Sequence, residues 1–394
     1  YDERGNLTRT TDALGNHTLS VYDDDGRKVR DVNANNYADY INGTECYTYY
    51  LYDSLGRTLA VGEHTLKDGS AYDYIREAYK YDLSGNVVKT VTAENYADSS
   101  GATMEEKIES AVGEQSTYDI AGRLVEMSDA NGNISAHYEY DALGRKTSED
   151  SYGKTTAYTY DDAGRVLTVT EEGVLIQTNT YDLAGNLLTT TDALGAQTTN
   201  TYNALGKLRS VSCSGDSTVP SKTESYQYDY MGNLVRTIDS ADLMTISTYD
   251  FMNRVTAQTV SKADSTQART TSTVYDANGN KTQTTDARGF VKNYTYDELN
   301  RNTEESFMLG YSVPYLNQYT YDACGNQTQV YKSFGYGAVP FESWASTTYD
   351  RLGRVAVHYD THGAALETNT YDRDGRRTSV LDALDNETHY EYDN

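Results

Sequence analysis

Residues 158–186 read YTYDDAGRVLTVTEEGVLIQTNTYDLAGN, and this stretch contains twice the phrase that decides the fold. The phrase is Tyr-Asp-x-x-Gly followed by Asn or Arg, and its two copies begin at Tyr160 and, 21 residues later, at Tyr181. The Asp can accept hydrogen bonds from backbone N–H groups, and the Gly permits a positive φ. The phrase is therefore typical of a type I turn with a bulge that closes a β-hairpin.

The same phrase recurs along all 394 residues, most often at a spacing of 21 residues. A weaker second phrase, such as TDALGN at Thr11, lies between several of the copies. A short, sustained period of this kind predicts a repeat array in which each unit packs on its neighbours. We expect one continuous array over residues 1–394, as a fragment of a larger protein without caps or a C-terminal effector domain. The phrase begins at seventeen tyrosines: Tyr1, Tyr22, Tyr52, Tyr81, Tyr118, Tyr140, Tyr160, Tyr181, Tyr202, Tyr228, Tyr249, Tyr275, Tyr296, Tyr321, Tyr349, Tyr371 and Tyr392.

Substitutions at the Gly position indicate a backbone requirement. The main phrase has Asn253 and Asn300 in place of Gly, and the second phrase has Asp242 and Asp385. Asn and Asp are the residues next best able to enter the left-handed region. The repeat residues are therefore interpreted as structural turn residues, represented by Tyr160, Asp161, Gly164, Tyr181, Asp182, Gly185, Tyr349, Asp350 and Gly353.

The segments between turns alternate as strands do and are rich in Thr, Val and Tyr. Tyr-x-Tyr pairs, such as Tyr158 and Tyr160, place two rings on one face of a sheet. Their even spacing favours cross-strand packing over a surface that stacks sugar rings. The sequence thus predicts an all-β fold, a long curled sheet of antiparallel hairpins.

The composition and charge of the chain argue against several classes of function. A formal net charge of −26 and a pI near 4.5 disfavour binding to nucleic acid and to anionic lipid surfaces. No apolar run approaches the length of a transmembrane helix, so no membrane span is predicted. Acidic turns such as Asp23 to Asp25 leave calcium binding open, although no twelve-residue calcium loop is present.

No arrangement of residues typical of an active site stands out. Cys46, Cys213 and Cys324 lie far apart, and His358 and His362 fall between two YD phrases that predict strand and turn. Nucleophile and nucleotide motifs are missing from the sequence. We expect no catalytic, cofactor or metal site and hence no enzyme, since the abundant carboxylates alone do not identify a glycosidase.

Several inserts interrupt the period. Two of them share the word NYAD, at residues 36–39 and 95–98, and the stretch TMEEKIESA at 103–111 predicts a short capped helix. The insert FGYGAVPFESW contains the only Trp of the chain. Its aromatic residues are predicted as a glycan contact, namely Phe334, Tyr336, Phe341 and Trp344.

The phrases YDALGR, YDLAGN and YDRLGR, with the interleaved TDALGN, closely resemble the YD repeats of Rhs and wall-associated proteins. The same repeats occur in the C components of Tc toxins and in teneurins. This resemblance implies a sheet that spirals into a hollow shell, and in bacterial members the shell encloses a toxic C-terminal segment. The family's DPxG-type phrase is not found here, so no autoproteolytic Asp is transferred.

The resemblance also sets the expected function. It implies a non-enzymatic shell segment of a large protein that is secreted or displayed on the cell surface. The expected partner is an enclosed C-terminal toxin or effector of the same polypeptide. The alternative is a cell-surface carbohydrate-binding or adhesion array whose partners are glycans.

Overall fold

The structure is a computed structural model, and it contains 32 β-strands and three short helices in its described residues. The strands belong to one antiparallel sheet, so the predicted all-β hairpin fold is confirmed. The chain divides into two compact units, which we call the terminal unit (1–134 and 294–394) and the central unit (135–293). One uninterrupted array over residues 1–394 stays a prediction. The described residues are 1–42, 46–67, 70–214, 221–262, 264–309, 313–334 and 342–392.

The first part of the terminal unit contains all three helices of the described residues. Its elements are β1 (Arg9–Thr11), β2 (His17–Tyr22), β3 (Lys28–Val32), α1 (Tyr37–Ile41), β4 (Tyr47–Tyr52), β5 (Thr58–Lys67), β6 (Ser70–Tyr81), β7 (Val87–Thr92), α2 (Ala93–Ala97), α3 (Met104–Ser110), β8 (Glu114–Tyr118) and β9 (Leu124–Ser128).

The central unit follows, and its described residues are strands and turns. Its strands, of which the first and the last extend past its boundaries, are β10 (Ile134–Tyr140), β11 (Lys146–Ser151), β12 (Lys154–Tyr160), β13 (Val166–Glu171), β14 (Val174–Tyr181), β15 (Leu187–Asp192), β16 (Gln197–Tyr202), β17 (Leu208–Cys213), β18 (Lys222–Tyr228), β19 (Leu234–Ile238), β20 (Leu243–Tyr249), β21 (Val255–Lys262), β22 (Arg269–Tyr275), β23 (Lys281–Thr285) and β24 (Val291–Tyr296).

The chain then returns to the terminal unit. The remaining strands are β25 (Asn302–Leu309), β26 (Val313–Tyr321), β27 (Gln327–Phe334), β28 (Glu342–Tyr349), β29 (Val355–Tyr359), β30 (Ala365–Tyr371), β31 (Arg377–Asp382) and β32 (Glu387–His389).

Strands that follow each other in the chain pair side by side, as in β12 with β13 and β14 with β15. The register shifts by one residue at the Tyr that opens the phrase, because Thr159 faces Thr168 whereas Tyr160 faces Val166. The extra residue forms a β-bulge next to the turn, and bulges of this kind increase the local twist of a sheet. The same shift occurs at Tyr181, Tyr202 and Tyr249.

A hydrophobic core forms where the inserts fold back on the sheet. Helices α2 and α3 contact β6, and Ile108 of α3 is 2% exposed beside buried side chains of β5 to β7, such as Ala78 and Val91. The predicted capped helix is confirmed, because Thr103 and Glu106 form a capping box at the start of α3. In the described part of the central unit, by contrast, Ala136 and Met244 are the buried hydrophobic residues.

Candidate functional site

The repeat turn is built around the Asp of the phrase. Asp161 Oδ1 accepts hydrogen bonds from the backbone N–H groups of Ala163 (3.0 Å) and Arg165 (2.9 Å). Gly164 donates its own N–H to the carbonyl of Asp161 over 3.0 Å and has φ +82°. The backbone N–H of Arg165, together with its guanidinium, lowers the pKa of Asp161, because these bonds favour the ionised carboxylate.

The other turns chosen from the sequence have the same geometry. Asp182 accepts from the backbone and the side-chain amide of Asn186, both over 2.8 Å, and the amide lowers the pKa of Asp182. Asp350 accepts from the backbone of Arg354 (2.9 Å) and from its Nε (2.7 Å). At the Gly position of the phrase, φ is +92° at Gly185 and +79° at Gly353. The residues that replace Gly also have positive φ, between +60° and +63°, namely Asp242, Asn253, Asn300 and Asp385.

The sixth residue of the phrase links one repeat to the next. Arg165 Nε donates to Asp161 Oδ2 within its own turn (2.6 Å), while Nη1 donates to the carbonyl of Asp182 in the following turn (2.9 Å). Its guanidinium also lies 4.7 Å from the ring centroid of Tyr181, a distance suited to a cation–π contact. The same three contacts are made by Arg57, Arg145, Arg254, Arg301 and Arg354.

The Tyr of the phrase supplies a second link, directed backwards along the chain. The Tyr181 hydroxyl donates to the carbonyl of Val166 (2.9 Å), the first residue of the strand that follows the previous turn. Tyr202 bonds in the same way to Leu187 (2.8 Å). These repeats are thus tied to their neighbours at the turn by the Tyr hydroxyl and, at the six arginines named above, also by a guanidinium.

Sequence reasoning missed the role of the sixth residue, although a signal was available. In the sixteen complete phrases this position is always Arg, Asn or Lys. Asn186 reaches only its own Asp182, whereas Lys207 replaces an Arg by donating Nζ to the carbonyl of Gly232 over 2.8 Å. The sixth residue therefore changes the contact with the next turn. Arg165 and Lys207 reach a backbone carbonyl there, whereas Asn233 donates to the Asn253 side chain over 2.8 Å.

The two faces of the sheet differ in chemistry. Phrase tyrosines lie on one face, and on the other Thr hydroxyls pair across neighbouring strands, as in Thr180 with Thr189 (2.6 Å) and Thr248 with Thr256 (3.1 Å). Thr180 and Thr248 are both exposed. The Thr face therefore interacts with solvent through hydroxyls and carries no covering layer in these strands.

A cavity in the terminal unit has a volume of about 500 Å³, and its lining includes Glu63, His64 and Arg76. Glu63 is 4% exposed and accepts from Arg76 Nη1 (2.8 Å) and from the Thr48 hydroxyl (3.0 Å). Burial raises the pKa of Glu63, while Arg76 opposes that rise. The nearby His64 Nδ1 lies 2.6 Å from Asp73 Oδ1. Glu63 is thus paired with Arg76, and His64 lies beside Asp73, along the lining of this cavity.

The remaining sequence candidates are dispersed. His358 lies on β29 with Nδ1 3.0 Å from the Thr347 hydroxyl, and His362 lies in the next turn. Cys46 is buried, and Cys213 and Cys324 are exposed. Within the described ranges no three His, Cys, Asp or Glu residues are grouped so as to hold a metal ion, and no helix is long and apolar enough to cross a membrane.

The predicted glycan cluster lies partly outside the described residues. Tyr336 and Phe341 lie outside the described residues, and the backbones of Phe334 and Trp344 belong to β27 and β28. Glycan binding stays a prediction.

A sheet of tandem hairpins, whose turns are linked by Tyr hydroxyls and at several repeats also by Arg or Lys, defines a β-hairpin repeat protein. The family model described as RHS Repeat matches residues 118–151, 140–173 and 181–218. These matches lie within residues 118–218, and the predicted resemblance to the RHS-repeat, or YD-repeat, family is confirmed. No curated protein sequence matches the chain.

Solved structures share the fold. The crystal structure of TcdB2-TccC3-TEV is 16% identical with a TM-score of 0.74, and the match covers 99% of this chain and 23% of that one. A crystal structure of TcdB2-TccC3 is 15% identical with a TM-score of 0.52, and the match covers 97% of this chain and 26% of that one. This chain thus spans about a quarter of the length of these structures.

Proposed function

We propose that this chain is a wall segment of a large RHS-repeat protein and that its role is structural rather than catalytic. The observation that carries the proposal is the single-layer sheet of the central unit, which repeats one hairpin design without a covering layer over its described strands. Such a sheet exposes two extended faces, as a wall must.

The turn contacts support this role because they make the wall independent of a conventional core. Cross-strand pairs, charge-assisted hydrogen bonds and Tyr–Arg stacking each contribute on the order of 1 kcal/mol. The Arg contacts recur at Arg57, Arg145, Arg165, Arg254, Arg301 and Arg354. A wall that is stable without burying its faces against another layer can enclose a space.

We further propose that the enclosed guest is a C-terminal toxin or effector of the same polypeptide, and that the parent protein is secreted or displayed on the cell surface. The support is the fold shared with TcdB2-TccC3, which belongs to the Tc toxins, over nearly the whole of this chain. The acidic charge of −26 favours a well-solvated exterior and disfavours nucleic acid as a partner.

Electron microscopy of the intact parent protein tests the proposal. We expect a hollow cage with internal density, and we expect that density to disappear when the segment C-terminal to the repeats is deleted while the cage persists. A solid sandwich, a straight solenoid, or a cage whose internal density survives the deletion would contradict it.

A screen for hydrolase activity complements the imaging. The chain is expected to show no turnover on glycoside, ester or peptide substrates. Turnover that a single Asp substitution abolishes would overturn the structural role.

A further inference from the structure

The third residue of the YD phrase points away from its own hairpin. Leu83, Ile120 and Leu183 occupy this place and are fully exposed, and Phe251 is 90% exposed. A side chain in this position extends beyond the turn, so it can contact another segment without disturbing the hydrogen bonds made by the Asp and Gly. A side chain at the third position of the phrase is therefore suited to contacting another segment of the protein.

Arg occupies the third place in two of the sixteen complete phrases, as Arg351 in YDRLGR and Arg373 in YDRDGR. Both have a partner far away in sequence. Arg351 Nη1 lies 3.1 Å from Asp39 Oδ2 and 3.0 Å from the Sγ of the buried Cys46. Arg373 Nη1 lies 3.6 Å from Glu94 Oε2, and its backbone N–H donates to Glu94 Oε1 over 3.1 Å.

The two partner segments are the inserts that contain the NYAD words. Asp39 belongs to the first NYAD and lies in α1, and Glu94 lies in α2 immediately before the second NYAD. Each insert makes further bonds to a turn: the amide of Asn35 bonds to Asp322 (2.9 Å), and the backbone N–H of Glu94 donates to Asp374 (3.2 Å). The contacts thus form two separate docking sites within the terminal unit.

Helices α1 and α2 also pack on strands that are close to them in the sequence. The Tyr37 ring of α1 lies 5.0 Å from His17 of β2, and Tyr40 lies 5.9 Å from Tyr47 of β4. Tyr96 of α2 packs against the hydrophobic core. The inserts are therefore bound to the early strands by aromatic contacts and to the late turns by charged and polar ones.

We propose that the two NYAD inserts are docking elements for YD turns and that Arg at the third place of the phrase selects the turn. The insert with α1 receives the turn at Asp350, and the insert with α2 receives the turn at Asp372. Ion pairs that are partly exposed contribute little by themselves, so selection needs the surrounding hydrogen bonds as well. The docking concerns this chain alone and holds whether or not the array encloses a guest.

Hydrogen exchange measured by mass spectrometry on the full chain tests the two sites separately. In Arg351→Glu, amides of residues 37–42 should exchange about three to ten times faster, whereas those of α2 keep their rate. Arg373→Glu should do the reverse. The double variant Asp39→Arg with Arg351→Glu should return the rate at α1 to within about twofold of the original, because it restores an ion pair.

Leu183→Glu is the matched control, since it places the same charge at the third position of a turn in the central unit. It should leave both helices unchanged. If Arg351→Glu fails to fold, Arg351→Met removes the charge without reversing it and should still accelerate exchange at α1 alone. Equal acceleration at both helices, unchanged exchange at α1, or a double variant no slower than Arg351→Glu would overturn the proposal.

Discussion

The terminal and central units use the same repeat turn but are stabilised differently. The terminal unit adds α1 to α3 and a buried cluster that includes Ile75, Val91 and Ile108. The described strands of the central unit have similar lengths, yet they bury few hydrophobic side chains. The comparison teaches that a buried hydrophobic cluster forms where an insert covers β5 to β7, whereas the described central strands have the turn links but few buried side chains.

The largest expected effect comes from removing the core that distinguishes the terminal unit. Ile108→Ala should lower the free energy of unfolding there by about 2 to 5 kcal/mol, because it leaves a cavity around a side chain that is 2% exposed. Hydrogen exchange should show faster opening of β5 to β7 with little change in β12 to β17. Leu183→Ala, at a fully exposed side chain, is the control and should change stability by no more than about 0.5 kcal/mol. Equal losses in both units would mean that the central unit also depends on this core.

Next in size is strain introduced into a turn of the central unit. Gly185→Val should cost about 1 to 3 kcal/mol, because φ is +92° and β-branched residues avoid this region. A Cβ at Gly185 would meet only the Arg165 side chain at 3.9 Å, so the cost arises from the backbone and not from a clash.

Gly185→Asn is the matched control for this substitution. Asn253 and Asn300 already occupy equivalent positions with φ near +60°, so the Asn variant should lose clearly less stability. Equal melting temperatures for the Val and Asn variants would show that the turn does not require a left-handed backbone conformation.

A smaller effect is expected from the link between neighbouring repeats. Arg165→Asn should keep the bond to Asp161, as Asn186 does at Asp182, but lose the link to the next turn and the stacking on Tyr181. We expect a loss of about 1 kcal/mol, measured by chemical denaturation, with faster exchange in the turn at Asp182.

Arg165→Ala removes both contacts and should be less stable than Arg165→Asn. Identical stabilities for the two variants would contradict a distinct forward link.

The smallest effect is a difference in pH dependence between the units. Hydrogen bonds lower the pKa of Asp161, Asp182 and Asp276 in the central unit. Their contribution to the free energy of unfolding is therefore present above the unfolded-state pKa of about 3.9 and is lost as the pH falls below that value. Burial raises the pKa of Glu63 in the terminal unit, so its contribution is present below about pH 4.3 and decreases as the pH rises towards the higher folded value.

Exchange rates recorded between pH 3 and pH 7, corrected for intrinsic chemistry, measure both trends. Glu63→Gln should abolish the decrease in stability of the terminal unit with rising pH and leave the pH dependence of the central unit unchanged. A decrease that persists in Glu63→Gln would assign it to another group.

The sequence predicts the hairpin fold well because each turn is specified within six residues, by an Asp that bonds to nearby N–H groups and a residue that accepts positive φ. The helix at 104–110 was predictable for the same reason, since Thr103 and Glu106 cap it locally. The contacts of Arg351 and Arg373 were not predictable, because their partners lie 312 and 279 residues away. The repeated NYAD word was visible in the sequence, but local chemistry does not identify the turns that it contacts.

The central claim is that the repeat turns sustain a single-layer wall without a hydrophobic core. Hydrogen exchange on the unmodified chain tests it most directly, by comparing β13 to β17 with the core strands β5 to β7. We expect protection in the two regions to agree within about tenfold. Exchange of β13 to β17 at the rate of an unfolded chain, beside protected β5 to β7, would contradict the claim.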